Sequence, residues 1–593
     1  MPSHHQLDTA LAEIQNNPEQ REAVYEQGHC VALAGPGSGK TKTLVTAMAR
    51  TLSQDIVDPR GVACITFNNE CAIELESRLT KLGVRDGDRC FVGTVHSFAL
   101  AHVITPYARC ISGLLPDDFT IATDSNIQAA IQAAHDAVFH DNANPLDRWS
   151  AAKTKRLRDI DRSLPSWRGR NPELADYVEA YESELRRRKL IDFEDMPLIA
   201  FRMIKENLWI REAIRARFPV LFVDEYQDLG QALHELVWLL CFEGGIRLFA
   251  VGDVDQSIYA FTGANPESLQ QLSMRDDVKT VHLRFNYRSG AKIIRASLGA
   301  LGEERDYRSR EGSDDGELTF WPVEGGLEDQ AQQVADVVIP ALLSKGYQHK
   351  QIAVLYRAGW LGDNIAIALG RKGTPFYRTD GKSLVKRSSR LARFIEACAC
   401  WVTGGWRVAD PPYGRLLGEA LRLIYGRQAK EQEQQAISDQ LVAFLHSSIG
   451  SNEGTNNWLL RFDAELISHW KAIARNTHQE WEVCTNMITG TNPAQGLDIP
   501  LDVFSGRIEG SGRVALSTLH SAKGREFDAV IIYGANKNGF PSSRDRLNDD
   551  AFREARRLFY VGVTRPKKEL CLVYQSQGHS PWVEELYHRS QQG

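Results

Sequence analysis

In the stretch Cys30 to Leu44, CVALAGPGSGKTKTL, a run of small residues leads into a lysine and a threonine. Cys30 to Ala34 reads as a short buried strand, Gly35 to Gly39 as a glycine-rich turn, and Lys40 onward as the start of a helix. That succession is the setting of a phosphate-binding loop. Small residues are needed in Ala34-Gly35-Pro36-Gly37-Ser38-Gly39 because backbone N–H groups must wrap phosphates, and a Cβ on the glycines holds the backbone away. Lys40 then reaches the β and γ phosphates of ATP, and the Thr41 hydroxyl ligates Mg²⁺. Ala34 fills the first position of the usual G-x-x-x-x-G-K-[ST] pattern, a small replacement that keeps the loop geometry.

A second signal lies at Val220-Leu221-Phe222-Val223-Asp224-Glu225-Tyr226-Gln227-Asp228. Four apolar residues predict a buried parallel strand, with the carboxylates emerging at its C-terminal end, where open α/β sheets bind ligands. Asp224 is placed to hold Mg²⁺ through water, and Glu225 to orient and polarise an attacking water. A third strand, Leu248 to Val251, runs into a loop in which Gln256 can sense a γ-phosphate while Tyr259 and Phe261 face elsewhere.

The elements that must position these residues follow from the rest of the chain. At 593 residues it is too long for one core and divides into about three to five domains. No apolar run approaches the roughly 18 residues of a membrane helix, and the start, MPSHHQLDTALAEI, lacks the basic and apolar regions of a signal peptide, which points to the cytoplasm. Ten scattered cysteines read as buried thiols. The net charge of −6 gives no whole-chain signature of a nucleic-acid partner, although the basic runs Arg186 to Lys189 and Lys153, Lys155, Arg156 and Arg158 leave room for one. Taken alone, each run is a solvated helix face.

Before the loop, Asn17-Pro18 turns into a short helix from which Gln20 can present an amide, both donor and acceptor, to an adenine edge. Val62 to Phe67 predicts a strand and Asn69 to Leu79 a helix. Thr94, His96 and Phe98 lie in a further element suited to hydrogen-bonding a phosphodiester and stacking a base. From 101 to 190 the periodicity is helical with no strand pattern, which reads as an insertion; the chain returns at Asp192-Phe193-Glu194-Asp195.

With these motifs in this order, and with LRFNYRS at 283–289, TLHSAKGREF at 518–527 and RRLFYVGVTR at 556–565, the chain resembles the UvrD/Rep/PcrA group of superfamily 1A DNA helicases. The resemblance implies an α/β fold of two RecA-like P-loop NTPase domains, each with a mainly helical insertion. The expected order is 1–100 and 191–278 for domain 1A with insertion 1B at 101–190, then 279–381 and 509–593 for domain 2A with insertion 2B at 382–508. It implies that Tyr287 stacks on adenine, Gln20 reads its edge, Glu526 contacts the ribose, and Arg288 and Arg565 act as arginine fingers. A guanidinium suits that role because it is a planar fork that stays charged. Lys42 also belongs to the nucleotide set, at a position where the family has arginine. Family DNA contacts map onto Phe67, Asn69, Thr94, His96, Tyr259, Phe261, Thr518 and His520. Glu70 stands for a family lysine, Phe261 for tryptophan and Thr262 for arginine, departures that weaken backbone affinity more than stacking.

The resemblance thus implies an ATP-dependent translocase moving 3′ to 5′ on single-stranded DNA and at junctions with duplex, in repair, recombination or replication. Two other readings stay open: a DNA-sensing helicase-like subunit of a nuclease-containing recombination or antiphage complex, and a nucleotide-binding switch without turnover.

Overall fold

Strands that are apolar throughout, instead of alternating, belong in sheets covered on both faces. In chain order the strands of the first half are β1 (His29–Ala34), β2 (Val62–Thr66), β3 (Cys90–Thr94), β4 (Thr120–Ile121), β5 (Leu190–Ile191), β6 (Val220–Val223), β7 (Arg247–Gly252) and β8 (Val278–Leu283). Those of the second half are β9 (Phe285–Asn286), β10 (Arg308–Ser309), β11 (Glu317–Val323), β12 (Ile352–Tyr356), β13 (Phe376–Arg378), β14 (Val514–Thr518), β15 (Phe527–Tyr533) and β16 (Pro566–Gln575). The computed structural model describes residues 4–591 except 67–68, 85–88, 112, 117, 170, 260–264, 310–311, 313, 381–384, 386–388, 409–410, 426–428, 452, 475–480, 494–499 and 506–511.

Two six-stranded sheets organise the molecule, in the orders β3-β2-β6-β7-β1-β8 and β11-β16-β15-β12-β14-β13. Every pairing in both is parallel. Each sheet has apolar clusters on both faces, which is why Val220 to Val223 and Ala529 to Tyr533 are buried without alternation. The two-domain α/β architecture therefore stands as the sequence implies. One boundary shifts: β8 pairs with β1 along its whole length, so the first sheet runs to Leu283 and not to residue 278. As an edge strand, β8 exposes Lys279 and His282, and that polar face disguises it.

Two helical clusters interrupt the sheets. The first is built by helices Asp124–Val138, Pro145–Arg158 and Pro172–Arg187 around Trp149, Trp167, Tyr177 and Tyr181. At its neck β4 and β5 form a two-residue parallel ladder, too short to leave a periodic signal. The second packs helices Arg390–Val402, Tyr413–Tyr425, Glu431–Ser448 and Thr455–Phe462 around Phe394, Phe444, Trp458 and Trp470. No helix of the described residues is long and apolar enough to cross a membrane.

The basic runs are paired within the chain, although Lys153, Arg158, Arg187 and Lys189 stay exposed to solvent. Lys153 pairs with Glu194, Lys155 and Arg158 with Asp159, Arg187 and Arg188 with Glu184, Arg186 with Asp195, and Lys189 with Asp118. Arg156 is wholly buried, with Nε 3.0 Å from Glu182, Nη1 2.7 Å from Asp192 and Nη2 2.5 Å from Asp195. Tyr181 also donates to Asp192, at 2.7 Å. This cluster bolts the insertion to the segment that returns the chain to the first sheet. Removing the cation leaves Asp192 buried without an ion-pair partner, while Glu182 keeps Arg162 and Asp195 keeps Arg186; breaking a buried pair in this way costs about 3–5 kcal/mol. Arg156→Ala is expected to lose stability of that order in urea denaturation.

Candidate functional site

The phosphate loop closes between β1 and the helix Lys40–Arg50, which starts at Gly39 in a left-handed conformation with φ of 83°. Gly37 also lies there, at φ 69°. Their lack of a side chain is doubly needed, since a Cβ on Gly39 would lie 2.5 Å from Gln20 Nε2 and one on Gly37 2.5 Å from Asn286 Oδ1. Ser38 Oγ donates to Gly35 O at 2.7 Å, and Gln20 Nε2 donates to Ser38 O at 3.1 Å. Gln20 is thus buried as a buttress of the loop. Asn17 caps its helix by accepting from Gln20 N at 3.0 Å. Lys40 and Thr41 open the loop helix. Lys40 Nζ is buried without a hydrogen-bond partner among the described residues, 3.8 Å from Asp253 Oδ2. An unpartnered ammonium over a glycine cradle at a helix N-terminus fits a nucleotide's phosphates. Lys42 points away from the cradle, with Nζ 2.6 Å from Glu13.

Glu225 follows β6 with φ 48° and ψ 48°. A non-glycine residue in that region costs about 1–3 kcal/mol and recurs where function dictates geometry. Gln227 fixes the turn, donating to Glu225 Oε2 and accepting from Asp253 N at 2.9 Å. The two acids diverge electrostatically. Burial, with the Glu225 charge beside it, pushes Asp224 up to about 7 against the pull of Lys40. Burial acts on Glu225 too, but Lys40, Lys523 and Arg565 outweigh it and hold that carboxyl at about 2. Asp224 is buried near the loop, and its oxygen chemistry fits a hard cation such as Mg²⁺.

The second sheet supplies the other wall. Helix Asp549–Val563 ends against β16, and Arg565 sits in the connection, 1 % exposed. Its Nη2 donates to Gln256 Oε1 and Thr564 Oγ1, each at 3.0 Å, and its Nε to Val561 O at 2.9 Å. All these acceptors are neutral, so burial pulls the guanidinium down to about 9, with Arg288 adding to the effect. Gln256 Nε2 donates in turn to Asp253 Oδ2 at 2.5 Å, so side chains run from Lys40 through Asp253 and Gln256 to Arg565. Lys523, whose role no local pattern announces, bridges the same gap with Nζ 2.5 Å from Asp228 Oδ2 and 2.6 Å from Gln256 O. Arg288 is held at 2.8 Å by Glu526, which also pairs with Lys567 at 2.7 Å. Tyr287 donates its backbone N–H to Gly37 O at 2.8 Å, accepts from Asn17 Nδ2 at 2.7 Å and leaves its ring 47 % exposed.

The residues expected at DNA gather at other strand ends. Thr66 and Thr94 are paired at the C-terminal ends of β2 and β3, and Thr518 is paired with Tyr356 at those of β14 and β12. Thr94 caps the turn Val95–Phe98 by accepting from Ser97 N, and Thr518 accepts from Ser521 N at 3.1 Å. His96 stacks on Phe193, with ring centroids 3.9 Å apart and planes at 18°. Phe193 is 55 % exposed, so the open ring face is one that the sequence reading missed; an aromatic set among acids at the insertion's return was its signal. Tyr259 is partly buried against the second-sheet cluster, 6.4 Å from His520 and with Lys523 Nζ 5.1 Å from its ring centre. Phe67, Phe261 and Thr262 lie outside the described residues, as do the side chains of Asn69 and Glu70.

Two parallel sheets, a glycine cradle at the carboxyl end of the first and a buried arginine from the second define an α/β protein of two RecA-like P-loop NTPase halves. Its lineage is specific: residues 16–277 match the UvrD/REP helicase N-terminal domain and residues 502–577 the UvrD-like helicase C-terminal domain. The chain is 24% identical to ATP-dependent DNA helicase Rep of Buchnera aphidicola, with 94% of each chain covered. It is 26% identical to ATP-dependent DNA helicase PcrA of Leuconostoc citreum over 94% of this chain and 81% of that one, and 25% identical to Rep of Escherichia coli over 94% and 90%. The chain belongs to the UvrD/Rep helicase family.

Burial holds His96 at about 4. It is therefore neutral at physiological pH, and any contact it makes with a phosphodiester is a hydrogen bond and not an ion pair. Unfolding restores an ordinary value near 6.5, so the unfolded chain takes up a proton between the two values. Its share of stability is complete above pH ~6.5 and lost as pH falls toward 4. The fall in melting temperature across that window is expected to be shallower in His96→Gln than in the wild type.

Proposed function

We propose that the chain is an ATP-dependent DNA helicase or translocase that hydrolyses ATP between its two sheets and moves along single-stranded DNA, 3′ to 5′ by its family resemblance. The observation that carries the ATPase half is a pair of buried cations, Lys40 and Arg565, one from each half. Among the described residues neither is hydrogen-bonded to a carboxylate. A triphosphate supplies the missing negative charge.

In this mechanism the loop amides and Lys40 bind the phosphates, and the exposed Tyr287 ring takes the adenine. Thr41 and Asp224 would hold Mg²⁺, which when bound supplies charge neutralisation on the phosphate oxygens. Glu225, ionised throughout the physiological range, accepts a proton from the attacking water. Arg565 turns from Gln256 Oε1 to the phosphoryl oxygens, and Arg288 leaves Glu526 to join it. Because both arginines come from the second half, hydrolysis is conditional on closure, and loss of the γ-phosphate returns Arg565 to Gln256. Gln256 lies three residues before Tyr259, so the same loop carries the change toward the DNA side. We assign 1B and 2B to the two helical clusters and 1A and 2A to the two sheets.

The direct test is hydrolysis with and without single-stranded DNA. Glu225→Gln is expected to bind ATP and not turn it over, because an amide keeps the shape and cannot act as a base. Arg565→Ala and Arg288→Ala are expected to lower kcat by about 10³ or more with little change in nucleotide Kd. Wild-type turnover in Glu225→Gln would overturn the catalytic assignment.

For the DNA side, a base stacked on an aromatic contributes roughly 1–3 kcal/mol. Phe193→Ala is expected to weaken single-stranded DNA binding correspondingly, by about 5- to 150-fold, and to blunt DNA stimulation while DNA-free hydrolysis stays near wild type. Fluorescence anisotropy with a labelled oligonucleotide measures the first effect.

A further inference from the structure

The segment Arg305 to Tyr307 reaches the nucleotide cleft although no phosphate-binding pattern marks it. It follows helix Ala291–Leu301, which packs on helices Asp549–Val563 and Pro581–Gln591 beside the second sheet. Asp255, by contrast, lies in the turn after β7 of the first sheet, next to Gln256. Arg305 meets it as a fork, Nε to Oδ2 and Nη2 to Oδ1, each at 2.8 Å. Asp255 is buried, while Arg305 is partly exposed and also meets Glu303 at 2.6 Å. Tyr307 adds its hydroxyl to Asp255 Oδ2 at 3.3 Å and lays its ring on Gly35, where a Cβ would stand 2.4 Å from the ring. Two residues of this segment thus hold the turn that presents Gln256, and one of them, Tyr307, also touches the first turn of the phosphate loop. The next strand, β10, pairs with β9, which immediately precedes Tyr287 and Arg288.

The second half grips the Gln256 turn at a few points. Arg565 holds the Gln256 side chain and Lys523 its carbonyl, while Arg305 and Tyr307 hold Asp255. In the hydrolysis proposed above Arg565 gives up Gln256 in order to reach phosphate. The fork on Asp255 involves no atom that binds nucleotide, so it persists when that contact is spent. Bidentate geometry also fixes direction as well as distance, which a single ammonium does not.

We propose that Asp255, Arg305 and Tyr307 form a positioning clasp that keeps the Gln256 turn and the phosphate loop in register with the second half during hydrolysis. None of the three touches the reacting atoms, and the assignment rests on the reading of the cleft as an ATPase site.

The test is steady-state ATPase at saturating single-stranded DNA, with hydrogen exchange of peptides covering 35–39 and 253–257. Arg305→Ala and Asp255→Asn are expected to lower kcat at least tenfold with KM for ATP within threefold, and to speed exchange in both peptides. Arg305→Lys, which keeps charge and packing, is expected to fold normally and recover only part of kcat. The double reversal Asp255→Arg with Arg305→Asp is expected to exceed either single reversal. Wild-type kcat in Arg305→Ala with only a lower melting temperature would reduce the contact to packing and overturn the clasp, as would a change confined to KM. Faster exchange in Arg305→Ala together with a wild type that hydrolyses no ATP would instead sink the ATPase reading, and with it the clasp's part in hydrolysis, while showing that the contact holds the two turns in place.

Discussion

Buried positive charge with no hydrogen-bonded carboxylate is the constraint around which this protein is built. Taking a guanidinium or an ammonium out of water costs several kcal/mol unless an anion meets it. Lys40 Nζ and Arg565 are both withdrawn from solvent on opposite walls of one cleft, and the acceptors that Arg565 meets are neutral. The acids answer them without a hydrogen bond: Asp253 stands 3.8 Å from Lys40 and is raised to about 6 by burial, while Lys40 and Arg565 help to hold Glu225 ionised. A polyanion between the walls would meet both cations directly, which is the place proposed for the triphosphate.

Backbone without side chains makes that arrangement possible. Gly35 and Gly37 let Tyr307 and the Asn286–Arg288 turn approach the phosphate loop more closely than any other residue allows. Two halves far apart in sequence can then share one site, with Tyr287 N bonded directly to Gly37 O. The strained Glu225 belongs to the same economy of space, since its left-handed turn lets Gln227 reach across to Asp253 N.

Much of this was legible in the chain and some was not, for reasons of range. The loop at 35–39, the acids after β6 and the glutamine after β7 announce themselves because each is a strand end followed by a distinctive local run. Both sheets follow from the family resemblance. What stayed hidden depends on partners remote in sequence: Lys523 on Asp228, Arg305 on Asp255, Phe193 under His96. Arg156 shows the limit most plainly, since helical spacing placed it in a solvated charge run while the fold buries it among three acids. Lys42 and Gln20 were read as nucleotide contacts by position; their side chains meet Glu13 and Ser38 O. The edge strand β8 was assigned to the wrong half because its polar face resembles surface.

The neutralised basic runs have a consequence for how the proposed hold on DNA responds to its medium. Proteins that grip a nucleic acid through open lysines and arginines expel condensed counterions, and their affinity falls steeply as salt rises. Here all eight residues of the two runs are already matched by carboxylates of the same chain. That pairing lowers the net charge each run offers to a phosphate backbone. In the proposed DNA contact the His96–Phe193 stack and the strand-end threonines displace water and not sodium or potassium, so that part of the hold is expected to depend little on salt.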